Sequence, residues 1–174
     1  MVKHIAFTLA ACLSVCALVL IVTDHRAFPH QLSETNERHF IVANARGNEI
    51  FLDVPAPRID HIELEWIHSV EKEPWRELYT IQDQHLILTD VFLEGYGAGV
   101  PSDLEGTTVN ENGTVHTFGI DRDIERLNWV HSHATHHTLR VFLSGSSEPR
   151  TISQEIPHHT FATAFIGTAE GLDK

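Results

Sequence analysis

The chain has 174 residues, 42% of them hydrophobic, and a formal net charge of -12 with only 12 Lys and Arg residues. This size and composition suit one domain with its own apolar core. The negative charge and the lack of any basic cluster argue against nucleic-acid binding, because such a surface repels phosphates. The sequence also holds 14 His residues, so its charge would change strongly between pH 7 and 5.

The N-terminus predicts export. Residues 5–22 carry no charge and follow Lys3, and as a helix they would span about 27 Å, close to the hydrocarbon thickness of a bilayer. An uncleaved signal-anchor is favoured over a cleaved signal peptide because no small-x-small site follows Val22. Lipidation at Cys12 is a third route. All three predict a periplasmic or other extracytoplasmic domain, anchored in the inner membrane or, after cleavage, secreted.

Domain boundaries follow from this start. Residues 1–23 are the signal-anchor or signal peptide, 24–38 a polar linker, 39–168 the extracytoplasmic domain and 169–174 a tail. Both cysteines, Cys12 and Cys16, lie in the first segment, so the domain has neither a disulfide nor a thiolate metal site.

The domain reads as a series of short strands. Runs at 39–44 and 49–54 predict a hairpin, residues 62–71 alternate with a two-residue period, and 75–81 and 85–93 continue a meander. Asn112-Gly113 predicts a tight turn between 107–109 and 114–120. Residues 121–126 suit one helical turn, and further strands are expected at 127–133, 138–143, 150–156 and 160–166. The fold class predicted is all-β, an antiparallel β-sandwich or partly open barrel, preceded by one N-terminal transmembrane or signal helix.

The hairpin around residue 72 supplies the first candidate site. If Lys72 and Glu73 form the turn, His68 lies opposite Glu77 and Ser69 opposite Arg76, between the aromatic residues Trp66, Trp75 and Tyr79. A His–carboxylate pair there either fixes the strand register or serves a ligand. His68 and Ser69 would point to opposite faces of a strand, so they do not form a nucleophile pair. No catalytic residue is predicted, and the protein is expected not to be an enzyme.

A glycine-rich bend follows the meander. Gly97 and Gly99 precede Pro101, and the bend either connects two sheets or presents bare amides to a partner. Together with the hairpin it gives the predicted ligand- or partner-binding residues: His68, Ser69, Glu71, Glu77, Gly97, Gly99 and Pro101.

The histidines supply the second candidate site. His131 and His133 share one strand face at a spacing that can chelate zinc or copper, with His136 and His137 just beyond. A third ligand would come from His136, His137, the further pair His158-His159, Asp121, Asp123 or Glu125. The first expectation is no cofactor, and a His-rich periplasmic protein that binds Zn or Cu is the alternative.

The His68-Ser69-Val70-Glu71 block and the Gly97-Ala98-Gly99 bend resemble a bacterial family of unknown function. Its members are small exported domains, often encoded beside tripartite ATP-independent periplasmic (TRAP) transporters with TAXI-type solute receptors. The resemblance covers residues 59–143 and includes Trp66, Trp75, Glu77 and Tyr79. It implies an accessory or binding domain whose partner is a TRAP transporter membrane subunit or solute receptor. The apolar N-terminal run separately predicts contact with the membrane, and the negative charge predicts that no nucleic acid is bound.

Overall fold

A computed structural model describes residues 37–94 and 105–168. The predicted N-terminal helix, most of the linker, Gly97, Gly99, Pro101 and the tail lie outside the described residues. Within the described ranges, no helix has the length and apolarity needed to cross a bilayer.

The described residues form eleven strands and two 3-10 turns, with no α-helix among them. The strands are β1 (His39–Asn44), β2 (Ile50–Pro55), β3 (Ile59–Ile67), β4 (Pro74–Gln82), β5 (His85–Glu94), β6 (Thr107–Glu111), β7 (Thr114–Ile124), β8 (Leu127–Val130), β9 (Thr138–Leu143), β10 (Arg150–Ile152) and β11 (Phe161–Gly167). The 3-10 turns are Ala56–Arg58 and His133–Thr135.

Two antiparallel sheets face each other. One has the order β2-β1-β11-β8, and the other has the order β10-β9-β3-β4-β5-β7-β6. Inward side chains of both sheets, such as Phe40 and Val42 from the first and Ile62 and Leu64 from the second, join one buried apolar cluster. The predicted all-β, antiparallel, sandwich-like architecture is therefore confirmed, and the sheets do not close into a barrel.

Most predicted turns are confirmed. Asn112 and Gly113 both have positive φ, 55° and 95°, as the tight turn between β6 and β7 requires. Asp83-Gln84 connects β4 to β5, with Gln82 opposite His85. The predicted helical turn at 121–126 is wrong, because β7 continues to Ile124 and its register with β5 resumes at Arg122 after a bulge.

The predicted register of the β3–β4 hairpin is also wrong. Trp66 lies opposite Trp75, and Leu64 lies opposite Glu77. Of the two central residues of the predicted turn, only Lys72 has positive φ, at 63°, so Lys72 and Glu73 do not form a type I′ turn. The chain instead makes a wider turn, in which the His68 N–H donates to Glu73 O at 2.8 Å and the Lys72 N–H to His68 O at 2.9 Å. Strand β3 consequently ends at Ile67, before the predicted end at residue 71, and His68, Ser69 and Glu71 lie in the turn.

Candidate functional site

A cleft of about 620 Å³ brings together the two candidate sites that the sequence left separate. One wall comes from the end of β3, the following turn and the start of β4; the other comes from the end of β8 and the segments beyond it. The lining residues are Trp66, Ile67, His68, Ser69, Trp75, Val130, Ser132, Thr135, His137 and His159.

Four flat rings form a continuous stack along this cleft, which we call the ring stack: His68, Trp75, Trp66 and His137. The Trp66 and Trp75 ring centroids are 5.4 Å apart with planes tilted by 20°. His137 lies 5.7 Å from Trp66 and is nearly parallel to it, at 6°, and His68 lies 5.9 Å from Trp75. The tryptophans become neighbours because the observed register pairs them directly across the hairpin.

Glu77 holds one ring of the ring stack, that of Trp75, by a hydrogen bond. The Trp75 Nε1–H donates to Glu77 Oε1 at 3.2 Å, and the buried Tyr79 hydroxyl donates to Glu77 Oε2. Burial raises the pKa of Glu77, while these two hydrogen bonds and the charge of Arg122 oppose that shift. Burial also raises the pKa of Tyr79, and the Glu77 carboxylate adds to the effect. One carboxylate oxygen of Glu77 therefore holds the Trp75 indole, and the other accepts the hydrogen bond of Tyr79.

His68 does not pair with Glu77, which corrects the sequence expectation. Among the described residues its polar contacts lie within its own turn: the Glu71 N–H donates to His68 Nδ1 at 3.4 Å, and Glu71 Oε2 lies 3.9 Å from the same nitrogen. Ser69 is exposed on the rim and does not face Arg76, which lies opposite Glu65. His68 and Ser69 line the cleft, and Glu71 lies in the same turn but is not one of the lining residues.

His131 is fixed beneath the other wall. The Trp129 Nε1–H donates to its Nδ1 at 3.3 Å, and its Nε2 lies 2.8 Å from Ser153 O. Since a carbonyl only accepts, Nε2 carries the proton and Nδ1 does not, so both nitrogens are satisfied only in the neutral ring. The side chain is 1% exposed. Burial lowers the pKa of His131 to about 4, and His137, His133 and His158 lower it further, while the Ser153 hydrogen bond opposes the shift.

His131 belongs to a histidine cluster with His133, His137, His158 and His159. Its ring centroid lies 5.4 Å from that of His133 and 5.8 Å from that of His137. Burial lowers the pKa of His137. Reduced hydration, followed by the charges of His159 and His133, lowers the pKa of His158. Because His137 also belongs to the ring stack, imidazole and indole rings run without interruption from His68 to His159.

The described residues contain no group of three His, Cys, Asp or Glu side chains placed to hold a metal ion. His133 Nε2 lies 2.9 Å from Ile156 O, so this ring, like that of His131, is already hydrogen-bonded to a carbonyl. His136 is exposed and has a left-handed backbone conformation. Among the described residues, no ring contact joins it to the histidine cluster. Asp123 instead contacts His85 at 2.7 Å.

Sequence reasoning missed Trp129 and Ser153, and it named His158-His159 only as a source of a third metal ligand. The alternation Trp129-x-His131 was a usable signal, because residues two apart share one face of a strand. Ser153 carried no signal, since it acts through its backbone carbonyl from a segment 22 residues away in sequence.

The first prediction concerns Glu77. Tyr79→Phe removes one of its two donors in a buried setting and should lower the free energy of unfolding by about 1–3 kcal/mol. His68→Ala should cost less, because His68 makes no hydrogen bond to Glu77 in the described part of the chain. Urea unfolding of both variants at pH 7 measures the difference, and equal losses would contradict this assignment.

The second prediction concerns pH. Above pH 6.5 His131 is neutral in both the folded and the unfolded chain; as pH falls toward 4, only the unfolded chain takes up the proton, so stability is lost through this window. The loss from His131 alone should reach about 3 kcal/mol by pH 4 and then stop growing. Urea unfolding between pH 7 and 4 should therefore show a weaker pH dependence for His131→Gln than for the wild type.

Other groups with shifted pKa values, such as His137 and His158, whose pKa values burial lowers, are present in both proteins, so the comparison with wild type isolates His131. His136→Gln is the matched control, because His136 is exposed, and it should keep the wild-type pH dependence. Parallel pH profiles for wild type and His131→Gln would show that His131 is not held neutral.

Comparison with known proteins bears on the same region. No curated protein matches the chain, and no solved structure matches it. A family model does match, and it spans most of the seven-stranded sheet, from within β3 through β9, including the ring stack and His131. Residues 62–144 are thus similar to a domain of unknown function, DUF1850.

Proposed function

We propose that this protein is a non-catalytic extracytoplasmic accessory domain that binds a partner through the cleft. The observation that carries the proposal is the ring stack of His68, Trp75, Trp66 and His137 along a solvent-connected cleft. The second part of the proposal is the setting: the domain works beside a TRAP-type solute transport system, on its membrane subunit or solute receptor.

The cleft has the physical properties of a recognition site. Its volume of about 620 Å³ falls within the usual range for ligand pockets. Tryptophan and histidine rings present large apolar faces with polar edges, and such residues dominate the energetics of binding surfaces. Trp75 is held by Glu77 and His137 by Thr135, whose Oγ1 lies 2.9 Å from His137 Nδ1. The surface is consequently rigid before binding, which reduces the entropy lost on association.

The polar groups of the site favour binding over catalysis. Both oxygens of Glu77 and both ring nitrogens of His131 accept or donate hydrogen bonds inside the fold. A general acid or base must instead reach the reacting group with a free proton site. Their hydrogen bonds place these residues in a supporting role, behind the rings that line the cleft.

The proposed location and transporter partner are supported by the sequence. The apolar run at residues 5–22 supports an inner-membrane anchor or a signal peptide, and hence a periplasmic location. The resemblance stated for the His68–Glu71 block supports the TRAP neighbourhood. Gly97, Gly99 and Pro101 are candidate partner contacts on the same grounds.

The third prediction tests this function by co-purification. The full-length protein is mildly solubilised from its native membranes, and co-eluting proteins are identified by mass spectrometry. Transporter or solute-receptor subunits should elute with the wild type and should be depleted about tenfold by Ser69→Trp, because an indole on the exposed rim fills the cleft.

Ser147→Trp is the matched control, since Ser147 is equally exposed but lies in the loop before β10. It should retain the partner. An eluate without transporter components, or equal recovery with both variants, would contradict the proposal.

Metal binding is the second candidate function, and the convergence of the His131, His133, His137 and His158 rings is the observation in its favour. Zinc or copper would have to displace the carbonyl hydrogen bonds of His131 and His133. This function predicts about one tightly bound Zn or Cu per chain, lost from a His131→Gln, His133→Gln double variant. A His39→Gln, His61→Gln variant is the control, and equal metal content in the two variants would exclude the site.

A further inference from the structure

Strand β8 forms one edge of the four-stranded sheet. It pairs with β11 on one side, and no strand of the described residues pairs with its other side. Its exposed residues are Asn128 and Val130, and Val130 is 46% exposed. Val130 also lines the cleft, as do Trp66 and Trp75.

The hydrogen-bond register shows which backbone groups this edge offers. The His131 N–H donates to Thr160 O, and the His159 N–H donates to His131 O, so His131 faces the β11 side. Hydrogen-bonded and non-bonded pairs alternate along an antiparallel ladder, so Trp129 also bonds toward β11. The N–H and C=O groups of Asn128 and Val130 therefore point to the free edge.

Just beyond β8, at Ser132, the same edge is bonded by another part of the chain. The His137 N–H donates to Ser132 O at 3.1 Å, after which the chain leaves to begin β9 at Thr138. The next backbone groups along the edge are those of Val130. β8 contains no Pro or Lys, two residues that commonly protect exposed edges from pairing.

We propose that the cleft binds an extended peptide segment of a partner protein, which adds as a further strand to the free edge of β8. The backbone of the segment bonds to Val130 and Asn128, and one apolar or aromatic side chain lies against Trp66 and Trp75. This inference rests on the proposed binding function and defines its mode: strand addition, in which main-chain bonds give affinity and a side-chain pocket gives specificity.

The charges near the cleft indicate the composition of the bound segment. The chain carries a net charge of -12, and the turn bordering the cleft has carboxylates at Glu71 and Glu73. Lys72, the cation of that turn, donates its Nζ to Ser69 O. Exposed Val70, at 79%, adds an apolar rim. A segment that alternates apolar residues with Lys or Arg matches this surface, because complementary charges speed association and exclude acidic competitors.

The test uses synthetic peptides of about eight residues, long enough for one strand, with alternating Lys and apolar or aromatic positions. Binding is measured by tryptophan fluorescence, and amide hydrogen exchange is measured by NMR. The best peptide should slow exchange at Val130 and Asn128, and the same peptide with Glu in place of Lys should bind at least about tenfold more weakly.

Two variants isolate the backbone contribution. Val130→Pro removes an N–H that makes no ladder bond within the fold, whereas Val130→Thr keeps the N–H and the branched shape. We expect about tenfold weaker binding for the first and binding within about threefold of wild type for the second. Peptides N-methylated at the positions facing β8 repeat the test without altering the protein.

Equal affinity of Val130→Pro and Val130→Thr, together with unchanged binding of N-methylated peptides, would overturn strand addition. Dimerisation of the free chain through β8, lost in Val130→Pro, would also overturn it by assigning the edge to a second copy. These outcomes are distinct from failure of the proposed function. Transporter components depleted by Ser69→Trp but retained by Val130→Pro would leave the accessory role standing and remove only the strand.

Discussion

The site depends on a single neutral imidazole held between two hydrogen bonds. His131 accepts from the Trp129 indole and donates to Ser153 O, so it ties the end of β8 to the segment after β10. A protonated ring would place two N–H donors against each other at Trp129, and burial adds a desolvation penalty. Burial lowers the pKa of His131 to about 4 and so keeps the ring neutral, and the neutral ring makes the contacts that position the end of β8, and with it the wall facing the tryptophans.

A second constraint holds the opposite wall. The β3–β4 register pairs Trp66 with Trp75, and Glu77 holds the Trp75 indole while Tyr79 holds Glu77. His137 then stacks on Trp66 and contacts His131. These hydrogen bonds therefore fix the orientation of the stacked rings that line the cleft. We therefore propose that this site, although rich in titratable residues, serves recognition.

Strand periodicity and turn chemistry made much of the fold predictable. The bounds of β1 and β9 agree with the sequence, and Asn112-Gly113 specified its turn. The β3–β4 register was not predictable in the same way, since it depends on a wider turn closed by backbone bonds of His68. The sequence identified the hairpin site and the histidine site, but it did not predict that residues of both would line one cleft. Their meeting depends on β8 joining the other sheet, through contacts such as that of His131 with Ser153 that leave no local pattern.

The most direct test of this account is the tautomer and titration of His131, measured by long-range ¹H–¹⁵N NMR correlations of the histidine rings. The account predicts a neutral ring with the proton on Nε2, and a pKa near 4. A ring protonated on Nδ1, or one that titrates near 6.5 like a histidine in water, would contradict the claim that this residue holds the cleft together.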